Sequence, residues 1–113
     1  MIMTKRSVAR ASQLMDNEQV RVTRFEFRPD DETGWHEHEF DYVIVALTDC
    51  TMLIEEGEGE RTVDTERGAA YHRKAGVKHN VINGGTTSMA FVEVEMKQCC
   101  LLYTSPSPRD TNP

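Results

Sequence analysis

From Val20 to Met96 the chain is cut into short β-prone runs by turn residues, and no stretch between them carries a helical period. Val20 to Phe27 is rich in β-branched and aromatic residues, and Pro29 to Gly34 supplies a loop behind it. Tyr42 to Leu47 is an apolar run of strand length, and Thr48 to Cys50 is expected to turn it back as a hairpin onto Thr51 to Glu55. Extended chain resumes at Arg61 to Thr65, Ala69 to Arg73 and Lys78 to Ile82, with turns at Glu56 to Glu60, Glu66 to Gly68, Ala75-Gly76 and Asn83 to Gly85. Met89 to Met96 closes the pattern with strict alternation. Many short strands at close spacing and no internal helix predict an all-β antiparallel barrel or jelly roll.

The chain has 113 residues, enough for one domain. At that size folding hides only roughly 60 to 70% of the unfolded surface, so the core is small and closure of the sheet or pairing of copies helps it. Nineteen acidic residues against thirteen basic ones give a net charge of -6, and no basic stripe is present to neutralise phosphates. Nucleic acid and membranes are therefore excluded as expected partners, and a small-molecule ligand is the default. No run approaches the ~20 apolar residues of a membrane span, and no apolar stretch follows Lys5 and Arg6 as in a secretory signal. Cys50 stands alone and Cys99 and Cys100 are adjacent, a pattern that predicts no structural disulfide and fits a reducing cytoplasm.

The ends differ from the middle. Thr4 to Asp16 permits a short helix or an irregular arm, and residues 1–19 are expected to form that N-terminal arm before a barrel at 20–98. Residues 99–113 have no period and hold Pro106, Pro108 and Pro113. Every residue from Cys100 to Asp110 matches a translated transposase adapter of the kind used in library sequencing. The tail is expected to be non-native, with the natural frame ending in or near Met96 to Gln98, and resequencing the source DNA without that chemistry tests this.

Three histidines carry the chemistry. His36 and His38 are two apart, so on an extended chain from Trp35 to Leu47 both imidazoles point to one side. Such a pair can share one metal ion if a neighbouring strand supplies a third ligand, and His79, opening the strand after Gly76, is the candidate. By the same parity Phe40 and Tyr42 share the histidine face, while Trp35, Glu37, Glu39 and Asp41 turn away. Tyr42 is then the extra polar group of the cavity, either a proton donor or a packed ring with a satisfied hydroxyl. His72 is expected at the surface, Asn83 in a turn before Gly84, and Cys50 outside any ligand set.

These residues resemble the cupin superfamily. Its second motif, G-x5-P-x-G-x2-H-x3-N, is matched at Gly68, Gly76, His79 and Asn83 with every spacing kept and Lys74 in place of the proline. His36 and His38 match the first motif's histidines, while Asp30 and Asp49 stand at its glycine positions and Tyr42 at its glutamate position. More narrowly, Thr33 to His38, Asp41 to Val45, Ala75 to Asn83 and Phe91 to Glu95 are similar to the small single-cupin proteins of bacterial β-alanine degradation.

The resemblance implies a double-stranded β-helix barrel holding a divalent transition metal through His36, His38 and His79, with Fe(II) favoured and Zn, Mn or Ni as alternatives. It also implies a dimer of such barrels. Without the glutamate the ion would keep its full charge, since neutral imidazoles cancel none of it. Two readings stay open: a metal-dependent enzyme, an Fe(II) dioxygenase or a lyase acting on a small carboxylate or dicarbonyl with Tyr42 as its catalytic hydroxyl, or a non-catalytic module that binds or senses a small ligand.

Overall fold

The computed structural model describes residues 5–97, so the expected tail at 99–113 lies outside the described residues. Among these are nine strands: β1 (Arg10–Asp16), β2 (Val20–Phe27), β3 (His36–Glu37), β4 (Asp41–Ala46), β5 (Cys50–Glu56), β6 (Gly59–Thr65), β7 (Ala70–Arg73), β8 (Lys78–Asn83) and β9 (Met89–Met96). They form two antiparallel sheets, ordered β1-β2-β9-β4-β7 and β3-β8-β5-β6. The expected all-β jelly-roll architecture is what the chain adopts. No helix among the described residues is long and apolar enough to cross a membrane.

Alternation decides which side chains meet between the sheets. Phe27 of β2, Tyr42, Ile44 and Ala46 of β4, and Met89 and Phe91 of β9 face Cys50, Met52 and Ile54 of β5 and Val81 of β8. Phe25, Phe27 and Phe91 form a tilted aromatic cluster, with ring centroids 5.4 to 6.4 Å apart. Burying side chains of this size contributes about 1.5 to 3 kcal/mol each. A one-residue slip would turn each row outward, so these rows fix the register.

Two local expectations are overturned. The segments on either side of Thr48 to Cys50 are not a hairpin: β4 pairs with β7 and β9, whereas β5 pairs with β6 and β8. The connection crosses from one sheet to the other because it is fastened to β9. Leu47 N–H donates to Ala90 O (2.9 Å), and Ala90 N–H donates to Thr48 Oγ1 (3.1 Å). The paired hairpin of this region is β5 with β6. The N-terminal segment, expected as a short helix or an irregular arm, contains strand β1, added antiparallel to the edge of β2. Asn17 makes the turn between them, its Oδ1 accepting the N–H of Gln19 and of Val20.

The departures from the motif pattern are absorbed locally. Asp30, at a glycine position, keeps the left-handed backbone with φ 72°, a conformation that Asp tolerates better than most residues. Asp49 instead uses its carboxylate, accepting Arg67 N–H at 2.9 Å. Gly76, with φ +98°, turns the chain into β8, and its N–H donates to His38 O while His38 N–H donates to Val77 O. That exchange continues the β3–β8 ladder one step beyond β3 and sets His38 beside His79.

Candidate metal centre

His36 and His79 are direct cross-strand partners in the β3–β8 pair, so their side chains leave the sheet on one face. His38, two residues on, joins them. His36 Nε2 lies 3.0 Å from His38 Nε2, which lies 3.2 Å from His79 Nε2. Ligands about 2.1 Å from one ion, at angles between 90° and tetrahedral, sit roughly 2.9 to 3.4 Å apart. The spacing of these nitrogens thus suits neighbouring ligands of a single ion, and the three histidines form a group able to hold one.

Proton placement favours the same use. His36 Nδ1–H donates to Gly34 O at 2.8 Å, which assigns the lone pair to Nε2, the nitrogen turned toward the other rings. Burial, with the neighbouring His36 next in effect, lowers His38 to about 4 and His79 to about 3. Both rings are therefore neutral at physiological pH, the form in which imidazole binds a metal.

Tyr42 lies where the parity argument put it. Its ring stacks on the His38 imidazole at a centroid distance of 3.8 Å, and it is 2% exposed. Its hydroxyl is buried without a hydrogen-bond partner, and burial pushes its pKa up. Trp35 is 55% exposed and lines no part of the cavity. Glu37 and Glu39 are exposed, and so is His72, 3.8 Å from Asp41. Asn83 serves its turn, accepting Gly85 N–H and donating to Thr87 O. Cys50 is a buried free thiol that donates to backbone carbonyls of Thr48 and Ala90.

Two residues of the site escaped the sequence reading. Asn80, 2% exposed, accepts Gly34 N–H on Oδ1 (2.9 Å) and donates from Nδ2 to Glu32 (2.9 Å) and Glu55 (3.0 Å). It thereby holds the Gly34 carbonyl that orients His36. Glu93, on the inward row of β9, places Oε1 3.9 Å from His38 Nε2. Burial, and then the Glu95 charge, raise its pKa to about 7. The signal for Glu93 was present in Met89-x-Phe91-x-Glu93-x-Glu95, where two carboxylates continue the parity of an apolar row.

His36 and His79 open on a cavity of about 180 Å³ whose other walls include Thr33, Tyr42, Met52, Tyr71, Phe91 and Glu93. At roughly 30 Å³ per water this space holds about six waters, the size of a small metabolite. Larger hollows of about 500 and 610 Å³ lie elsewhere, are open to solvent, and have no histidine in their walls.

No profile of a known protein family matches the chain. The β-alanine degradation protein BauB of Pseudomonas aeruginosa is 52% identical over 83 residues, spanning 74% of this chain and 87% of that protein. The crystal structure of a cupin domain from Bordetella pertussis superposes with a TM-score of 0.82 at 46% identity, covering 85% of this chain and 100% of that one. The polyketide cyclase RemF from Streptomyces resistomycificus, 22% identical with a TM-score of 0.63, shares the fold over 84% of this chain and 71% of its own.

Proposed function

Because the chain belongs to the cupin family of the β-alanine degradation protein BauB, we propose that it is a metal-dependent enzyme of small-metabolite breakdown. The observation that carries this reading is the convergence of His36, His38 and His79 through Nε2, with His36 and His79 in the wall of a small cavity. These residues would hold a divalent transition metal, Fe(II) before Zn, Mn or Ni. When bound, such an ion supplies Lewis acidity and, as iron, an electron source for dioxygen chemistry.

The chain's own residues do the rest. Phe25, Ile44, Met52, Val81 and Phe91 exclude water and limit the ligand to a few non-hydrogen atoms. No Lys or Arg is among the lining residues, so an acidic ligand has to be met at the histidine end of the cavity. A small carboxylate or a dicarbonyl that binds as its enolate fits those terms, and the name of the Pseudomonas relative points to the breakdown of β-alanine, itself a small carboxylate. Tyr42, whose hydroxyl is unpartnered and kept protonated by burial, would donate a hydrogen bond to that ligand.

The test is oxygen uptake by the iron-loaded protein offered three- to five-carbon carboxylates and β-dicarbonyls. Uptake is expected to require both iron and one of these compounds. Binding of a compound with neither oxygen uptake nor a new product would replace the dioxygenase and lyase readings with a ligand-binding or sensing module.

The same reading includes a homodimer in a reducing cytoplasm. The outer face of the five-stranded sheet carries Val22, Val43 and Val94 in one cross-strand row and Val45 and Val92 in the next. All five are half-buried and point away from the core, which supports pairing of two such faces. Light scattering is expected to give a dimer mass, and Val94→Glu a monomer mass; a monomeric parent protein would refute the pairing.

A further inference from the structure

Strands β6 and β7 end their sheets, β6 the four-stranded one and β7 the five-stranded one. The hollow of about 610 Å³ lies along these two edges and the turn that joins them. It adjoins the histidine cavity at Tyr71, which lines both spaces. On β7, Tyr71 and Arg73 stand opposite Ile44 and Tyr42 of β4, whose side chains belong to the core, so both face the space between the sheets. Tyr71 reaches across that space, and its hydroxyl donates to Met52 Sδ of β5 at 3.5 Å. A thioether is a weak acceptor, so this contact costs little to open.

The two ends of the hollow differ in charge. Asp64 and Glu66 lie toward the turn, whereas Arg61 opens β6 and Arg73 closes β7 at the other end. There one carboxylate answers two guanidiniums: Glu56 Oε1 lies 3.4 Å from Arg61 Nε, and Oε2 lies 3.3 Å from Arg73 Nη2. Glu58 and Glu60, on the exposed hairpin beyond, pair with neither arginine among the described residues. One positive charge is left over. Arg73 is the more buried of the two arginines, with 25% of its side chain exposed, and Glu56 takes one of its five donors. It also leads to the metal centre, because Tyr42, its cross-strand partner, stacks on His38.

From these placements, and resting on the metal-centre reading above, we infer that the ligand site has two chambers parted by the Tyr71 ring, and that Arg73 in the outer chamber binds a carboxylate at the far end of a ligand held by the histidines. The ligand is then a short chain with a metal-binding oxygen at one end and a carboxylate at the other, as in a dicarboxylate. A ligand without the second carboxylate occupies the inner cavity alone.

The experiment titrates acetate, pentanoate and glutarate into the Co(II)-loaded protein, following the visible Co(II) absorption. Glutarate and pentanoate have the same number of carbons and differ only in the far carboxylate. The parent protein is expected to bind glutarate about 10- to 100-fold more tightly than pentanoate, the worth of a hydrogen bond to a charged group. Arg73→Gln is expected to abolish that preference, and Arg73→Lys to recover part of it. Acetate affinity is expected to be the same in all three proteins, which shows that the inner site is intact whatever the substitution does to the β6 and β7 edges. In rapid mixing, Tyr71→Ala is expected to speed glutarate binding and to leave the acetate rate unchanged.

A parent protein with no preference for glutarate over pentanoate, or a preference that survives in Arg73→Gln, would overturn the inference while acetate still reports the three-histidine site. Equal effects of Tyr71→Ala on acetate and glutarate would overturn the partition at Tyr71. A parent protein that takes up no Co(II) would remove the metal centre and this inference together.

Discussion

Replacing His38 with alanine is expected to abolish stoichiometric metal binding, whereas Tyr42→Phe is expected to leave it nearly intact. His38 is the middle ring of the group, 3.0 Å from His36 Nε2 and 3.2 Å from His79 Nε2. Its loss leaves His36 and His79 alone. The affinity is expected to fall by more than about 100-fold, beyond the range for partners that only support a ligand. Tyr42→Phe keeps the ring stacked on His38 and removes only a hydroxyl that has no hydrogen-bond partner. Deleting an unsatisfied buried hydroxyl is nearly neutral or mildly stabilising. The measurement is metal content by mass spectrometry after purification without chelator, with the parent protein alongside. Equal metal loss in both variants would make Tyr42 a ligand, and full metal content in His38→Ala would move the site elsewhere.

The part of this centre that the sequence revealed is the part set by spacing along one chain. His36 and His38 share a face because consecutive residues of an extended chain alternate, and Tyr42 falls on that face by the same count. His79 needed more, because its meeting with His36 is a long-range pairing that no local period contains; the shared motif spacing supplied it. The Thr48 to Cys50 connection shows the converse. A short polar turn between two apolar runs looks the same whether the runs pair or diverge, and hydrogen bonds from β9 decide between them. Strand β1 was hidden for another reason: nearly every residue of this edge strand is exposed, so it has no buried face to impose a period of two. Glu93 and Asn80 were missed because a charged or amide residue in a strand is ordinarily read as facing solvent, and only the row around it says otherwise.

In the metal-free protein the same buried groups set the response to acid, and they oppose one another. His38 and His79 titrate in the folded state near 4 and 3, below the 6.5 of an unperturbed histidine. The stability held in their neutral forms is complete above pH 6.5 and is lost as pH falls toward those lower values. Glu93 runs the other way. Its folded value of about 7, against an ordinary 4.5, means that the cost of its buried charge is present above pH 7 and is relieved as pH falls to 4.5.

At about 1.4 kcal/mol per unit, the two histidines remove on the order of 6 kcal/mol between pH 7 and pH 4 and Glu93 returns on the order of 3. The expected net loss is therefore about 3 kcal/mol, a large share of the 5 to 15 kcal/mol typical of a domain. Glu93→Gln keeps the histidine loss and deletes the relief. It should be more stable than the parent at pH 8 and should fall roughly twice as steeply toward pH 4. Asp16 and Glu56, held low by hydrogen bonds from Lys97 and Arg61 respectively, add an acid loss that both proteins share, so it cancels in the comparison. Urea unfolding with chelator present, from pH 8 to pH 4, measures both curves. Parallel curves would show that Glu93 does not carry a buried charge at neutral pH, and a parent curve flat from pH 7 to pH 4 would show that the histidine rings are not held neutral by the fold.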